Sequence, residues 1–215
     1  MPSSVDPPRY GLVLPVKPPA VAKSRLLGLG DQARRDLVVA FAADTLTAAL
    51  ECPVVEVVLV VTDDFALAGG MSALGAEVIP DGTVDDLNGS LVQAVAELDR
   101  RRPGTRVAAL CADLPALRPA ELTRALGAAD EHRQSFVTDT QGVGTTMLVA
   151  PNSEVFLPRF GSGSRAAHLS EGAYEIDLPD IATVRRDVDT PADLADAMLL
   201  GVGARTSMVT TGIRL

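Results

Sequence analysis

Apolar residues along this chain fall into short unbroken runs, separated by longer stretches in which they recur every three or four positions. The runs YGLVLP (Tyr10–Pro15), EVVLVV (Glu56–Val61) and VAALC (Val107–Cys111) are continuous enough to be strands buried on both faces. Between the first two, Asp31–Leu50 places Leu37, Val38, Phe41, Thr45 and Ala48 on one helical face, with Asp31 as its cap. Helical spacing continues over Asp63–Leu74, although Gly69-Gly70 disfavours it there, and over Gly89–Arg101. Pro119–Glu131 and Pro191–Leu200 each open with Pro in the first turn of a helix. Glu77–Pro80, Ser135–Thr138 and Thr145–Ala150 read as short strands, the last two flanking a turn around Gly142 and Gly144.

Strands alternating with helices predict an α/β fold with a mostly parallel, doubly wound sheet, a Rossmann-like three-layer sandwich. Residues 1–9 are expected to be a flexible tail, 10–202 a single domain and 203–215 a C-terminal tail. The region from Thr145 to Ser164 breaks the rhythm with Pro, Gly and Ser and is expected to cross the mouth of the sheet.

Composition narrows the partners. The 215 residues include 47% hydrophobic and 22% charged side chains, enough for a sizeable core. Aromatics make up 3% with no Trp, which argues against a stacking platform for bases. A net charge of −9 and a pI near 4.7 disfavour nucleic acid as a partner. The start MPSSVDPPRY lacks the basic and apolar regions of a secretion signal, and the longest apolar segment, Pro53–Val61, is interrupted by Glu56. A soluble, cytoplasmic protein with no membrane partner is expected. Cys52 and Cys111 form no disulfide or metal spacing and read as reduced thiols.

Chemistry enters where the strands end. Asp113 follows the central strand in CADLPAL, and open α/β sheets bind ligands outside the carboxyl ends of their strands. In ATVRRDVDTPADL (Ala182–Leu194), Asp187 and Asp189 lie between a β-like segment and a helix. Two acidic strand ends suit a magnesium–phosphate site, because Mg²⁺ takes one or two carboxylates and completes its shell with phosphates and water. Asp189 is expected to turn away from Asp187 and to cap the helix beginning at Pro191. The first-strand loop, PVKPPAVAKSRL, carries Lys17, Lys23 and Arg25, which could hold a triphosphate and offset charge in phosphoryl transfer. It is neither a Walker A loop nor a GxGxxG turn. His132 and His168 sit in no nucleophile–base arrangement and read as ordinary surface or loop residues.

PVKPPAVAKSRL, LNGSL (Leu87–Leu91), CADLPAL, RFGSGSRAAH (Arg159–His168) and DVDTPADL (Asp187–Leu194) together resemble the phospholactate/phosphoenolpyruvate guanylyltransferases of coenzyme F-420 biosynthesis. The resemblance runs from about Tyr10 to Val202, with the motifs in the family's order, and implies a nucleotide-diphospho-sugar transferase-like fold. It implies that Asp113 and Asp187 hold Mg²⁺, that Thr145, Gly161 and Ser164 bind the phosphorylated acid, and that Asn88 belongs to the base-binding part of the nucleotide site. A turn or cap role is the plain alternative for Asn88. Many relatives have Gly before the central Asp, where this chain has Cys111-Ala112.

The implied reaction joins GTP to phosphoenolpyruvate, releasing pyrophosphate, with a downstream transferase of the deazaflavin pathway as the next partner. The motifs leave open 2-phospho-L-lactate or 3-phosphoglycerate as the acid, another nucleotidyl acceptor, or a non-catalytic nucleotide-binding regulator. GTP rests on the resemblance alone. A homodimer is the default expectation for assembly.

Overall fold

The structure, a computed structural model, describes residues 9–18, 30–83 and 85–211. In chain order the elements are β1 (Tyr10–Pro15), α1 (Asp31–Leu50), β2 (Val55–Val61), α2 (Phe65–Ala73), β3 (Glu77–Ile79) and α3 (Leu87–Arg101). There follow β4 (Arg106–Leu110), α4 (Pro119–Ala128), β5 (Ser135–Thr138), β6 (Thr145–Ala150), α5 (Ser164–Ser170) and β7 (Tyr174–Glu175). The chain continues through α6 (Ala182–Arg185), α7 (Pro191–Leu200) and α8 (Ala204–Thr211).

The strands form one seven-stranded sheet in the order β3-β2-β1-β4-β6-β5-β7. β1 pairs in parallel with β2 and β4, and β2 in parallel with β3. β6 alone is reversed, antiparallel to both β4 and β5, so the expected mostly parallel sheet carries one inverted strand. That inversion matters for chemistry. It puts the first residue of β6, Thr145, at the same edge as the last residues of β4, where the Cys111 N–H donates to the Thr146 carbonyl at 2.8 Å.

Alternating side chains divide the core between the two faces of the sheet. Leu12, Leu14, Val58, Val60, Ala108, Leu110, Met147 and Val149 meet the apolar sides of α1, α2 and α4. Val13, Leu59, Val107, Ala109 and Leu148 meet Leu91, Ala94, Val95 and Leu98 of α3. Three layers result, as expected from the pattern of runs. The close approach of α3 requires Gly11, where an added Cβ would lie 2.4 Å from Leu98 Cδ2.

Two expectations change. Residues 204–211 are a helix packed along α1 rather than a tail. The buried carboxylate of Asp44 accepts from the backbone N–H groups of Arg205 (3.2 Å) and Thr206 (2.8 Å), satisfying the amino end of α8 from a neighbouring helix. Sequence-local capping rules have no view of such a partner. The β-like segment before Asp187 is likewise helical, as α6. Buried Glu121 of α4 accepts from the Thr183 N–H at 2.8 Å, and Thr183 Oγ1 accepts from the Arg118 N–H at 3.2 Å. These tertiary bonds outweigh the strand preference of a Thr-Val pair.

Asp44→Ala should therefore release α8. Losing a cap costs about 1–2 kcal/mol, to be read as a lower denaturation midpoint with faster amide hydrogen exchange over residues 204–211.

Candidate active site

The carboxyl ends of β1, β4 and β5 lie at the same edge of the sheet as the start of β6. Asp113 lies just beyond β4, and the peptide on each side of it is held by one hydroxyl. Thr45, fully buried in α1, donates to the Ala112 carbonyl (3.3 Å) and accepts from the Leu114 N–H (3.1 Å). The Asp113 carbonyl in turn accepts from the Val188 N–H at 3.1 Å. Val188 is itself fully buried against Leu37, Phe41, Ala116, Leu194 and Ala197.

This bond brings the two acidic motifs together. Asp113, Asp187 and Asp189 each offer a carboxylate oxygen, and these oxygens lie within 4.8 Å of one another, on half-buried residues. Such a group of hard oxygen donors can hold a metal ion.

Asp189 departs from expectation twice. Residues two apart in an extended chain share a face, and Val188 between them takes the buried side. Asp189 consequently joins Asp187 rather than turning away. Nor does it cap α7: Thr190 is the cap, in a reciprocal box with Asp193. The Asp193 carboxylate also accepts from the Asp189 N–H (3.2 Å), and Arg186 faces Asp193 at 3.6 Å. The spacing Thr190-x-x-Asp193 is a capping-box signature and was the signal available in the sequence.

Lys17 follows β1 at the same edge and is exposed. Lys23 and Arg25 lie outside the described residues. Asn88 is in the first turn of α3, whose cap is Asp86. Its amide clasps the backbone of Phe160, donating to the carbonyl (3.0 Å) and accepting from the N–H (2.8 Å). That clasp sets the start of the Gly/Ser turn. Gly161 and Gly163 have φ of 133° and 71°, a region side-chain-bearing residues rarely occupy. Buried Ser164 opens α5, and the Arg165 N–H donates to the Val143 carbonyl at 3.1 Å. The turn is thus tied at both ends, to α3 and to the β5–β6 hairpin.

Thr145 sits at the foot of that hairpin, which Asp139 braces by accepting from the N–H groups of Val143 (2.9 Å) and Gly144 (2.7 Å). The Thr145 hydroxyl lies 2.9 Å from Nδ1 of His168. His168 corrects its expected surface placement: it is fully buried, and burial pushes its pKa down to about 4. His132 stacks on Tyr174, with ring centroids 3.7 Å apart.

The sequence profile of guanylyl transferase CofC-like proteins matches residues 11–215. The chain belongs to this family. A phosphoenolpyruvate guanylyltransferase of Thermomonospora curvata is 50% identical over 198 residues, covering 92% of this chain and 87% of that protein. One from Streptomyces coelicolor is 49% identical over 203 residues, covering 94% and 95%. Among solved structures, a Desulfovibrio desulfuricans protein assigned to the nucleotide-diphospho-sugar transferases superposes with a TM-score of 0.71 at 17% identity, over 95% of each chain. A 4-diphosphocytidyl-2C-methyl-D-erythritol synthase superposes at 0.61 with 11% identity, over 90% of this chain and 99% of that one. The fold is therefore that of the nucleotidyltransferases. Among the described residues, no helix is long and apolar enough to cross a membrane.

Two outcomes follow from the buried groups. Thr45→Val leaves the Leu114 N–H without its acceptor, costing about 1–3 kcal/mol in chemical denaturation, and should weaken divalent-ion binding in a calorimetric titration. His168 is held neutral in the fold, whereas an unfolded imidazole gains a proton near pH 6.5. Unfolding free energy should fall as pH drops from about 6.5 towards 4. In His168→Gln that share of the pH dependence should vanish.

Proposed function

We propose that this protein joins GTP to phosphoenolpyruvate, forming enolpyruvoyl-2-diphospho-5'-guanosine and pyrophosphate. Membership of the guanylyl transferase family supports the reaction class, and the observation that carries the reading is the convergence of Asp113, Asp187 and Asp189 at the carboxyl edge of the sheet. In this reading an oxygen of the phosphoenolpyruvate phosphate forms the new bond to the α-phosphorus of GTP. The bond from that phosphorus to the bridging oxygen of the β-phosphate breaks, and pyrophosphate carries away the electron pair.

A phosphate monoester has its second pKa at about 6, so the nucleophile is already ionised at neutral pH. The site therefore needs no general base, in keeping with a fully buried His168 and a stacked His132. What it must do is bring two anions into line and offset their repulsion. Asp113 and Asp187, with Asp189 beside them, would hold Mg²⁺, which when bound supplies positive charge to phosphate oxygens. Lys17, Lys23 and Arg25 would neutralise the triphosphate, with Asn88 on the nucleotide side of the turn it clasps. Thr145, Gly161 and Ser164 would receive the acid, through hydroxyls and the backbone N–H groups of a Gly/Ser turn. The product is a mixed anhydride, fit for a downstream transferase of the deazaflavin pathway.

The test is pyrophosphate release from GTP and Mg²⁺, with phosphoenolpyruvate, 2-phospho-L-lactate and 3-phosphoglycerate offered in parallel. The next pathway enzyme and its acceptor are added to draw the reaction forward. Phosphoenolpyruvate should be the preferred acid. Preference for another of the three would reassign the acceptor, and silence with all three in folded, GTP-binding protein would refute the activity. Asp113→Asn and Asp187→Asn should each abolish turnover with the melting temperature retained. Near-normal rates in either would refute the metal assignment.

A further inference from the structure

His168 lies in the last turn of α5, with no exposed surface, and its ring is held between Phe136 (centroids 5.4 Å apart, tilted) and Phe160 (5.5 Å, edge-on). Both ring nitrogens are engaged. Nε2 is 2.9 Å from the backbone nitrogen of Arg159, and Nδ1 is 2.9 Å from Thr145 Oγ1. A backbone amide can only donate, so Nε2 must present a lone pair. The hydrogen of the neutral ring is then on Nδ1, where it faces the Thr145 hydroxyl and also the Ser164 backbone carbonyl one turn back in α5. Protonation at both nitrogens would set one N–H against another, and burial already disfavours the charged ring, with a pKa near 4.

The consequence falls on Thr145. A hydroxyl has one hydrogen and two lone pairs, and it ordinarily rotates to suit its neighbours. One that accepts from His168 must direct its own hydrogen to an acceptor other than the imidazole. We propose that His168 is a positioning residue: by donating from Nδ1 to Thr145 Oγ1, it makes that hydroxyl an obligate donor toward the phosphorylated acid. The role rests on the reading that Thr145 contacts that acid. A rotor fixed in advance as a donor favours an anionic oxygen and is mismatched to a group that can only donate. The same ring holds Arg159, immediately before the clasped Phe160, so one side chain spans β6, α5 and the Gly/Ser turn.

The two bonds can be separated by amide replacements. His168→Asn keeps a donor near the Nδ1 position and loses the Nε2 acceptor. His168→Gln keeps an acceptor near Nε2 and loses the donor to Thr145. His168→Gln should raise the KM for phosphoenolpyruvate roughly tenfold, the scale of one hydrogen bond to an anion. The KM for GTP should stay unchanged, and His168→Asn should raise the KM for phosphoenolpyruvate less than His168→Gln does. The reverse order, with Gln harmless and Asn impaired, would mean that His168 only anchors Arg159 and would overturn the role. Thr145→Val should raise the same KM and make the His168→Gln effect disappear in the double variant. An unchanged KM in Thr145→Val would instead overturn the acid site itself, while full additivity of the pair would overturn only the coupling. Imidazole ¹⁵N NMR of the parent protein, which has 2 histidines, gives a reading that needs no variant to fold. It should show the Nδ1–H tautomer for His168, and an Nε2–H tautomer would overturn the proposal.

Discussion

The hydrogen bond from the Val188 N–H to the Asp113 carbonyl joins the two acidic motifs, which the chain keeps far apart in sequence. Carboxylates repel one another, so they share a small volume only where their backbones are already fixed. Here the fixing is done by apolar packing. Val188 is anchored among Leu37, Phe41 and Leu194, and Thr45, rooted in the same helix as Leu37 and Phe41, brackets the peptides around Asp113. The core against α1 therefore determines where the acids lie. A bound divalent cation would offset the repulsion between these carboxylates.

A second set of contacts builds the other side of the edge. The reversed strand β6 delivers Thr145 beside the end of β4, a placement that an all-parallel sheet would not provide. Asn88 from α3 and His168 from α5 then grip successive backbone positions, Phe160 and Arg159, of the Gly/Ser turn. Acid group, hairpin and turn are each held by bonds to main-chain atoms, which suits a reaction that depends on placement more than on proton transfer.

Much of this was legible in the sequence because it is local. Uninterrupted apolar runs give Tyr10–Pro15 and the central strands, and Asp113 stands out because a lone carboxylate follows such a run. The rest depends on distant partners. Glu121 makes α6 helical, Asp44 caps α8, and the inverted β6 takes its place from pairing rather than composition. Nothing local to the sequence marks His168, because its burial and the paired bonds that define its tautomer arise only when α5 folds onto Phe136. Asp189 lies beside Asp187 because residues two apart in an extended segment share a face, and the Thr190–Asp193 box that frees it from capping is readable in the motif itself.

Everything proposed for this edge requires Asp113, Asp187 and Asp189 to form one ion site. Anomalous diffraction from crystals grown with Mn²⁺ and a non-hydrolysable GTP analogue tests it most directly. A manganese peak is expected on carboxylate oxygens of Asp113 and Asp187, with Asp189 within its coordination shell or one water away. Manganese bound through the nucleotide phosphates alone, away from these carboxylates, would contradict it.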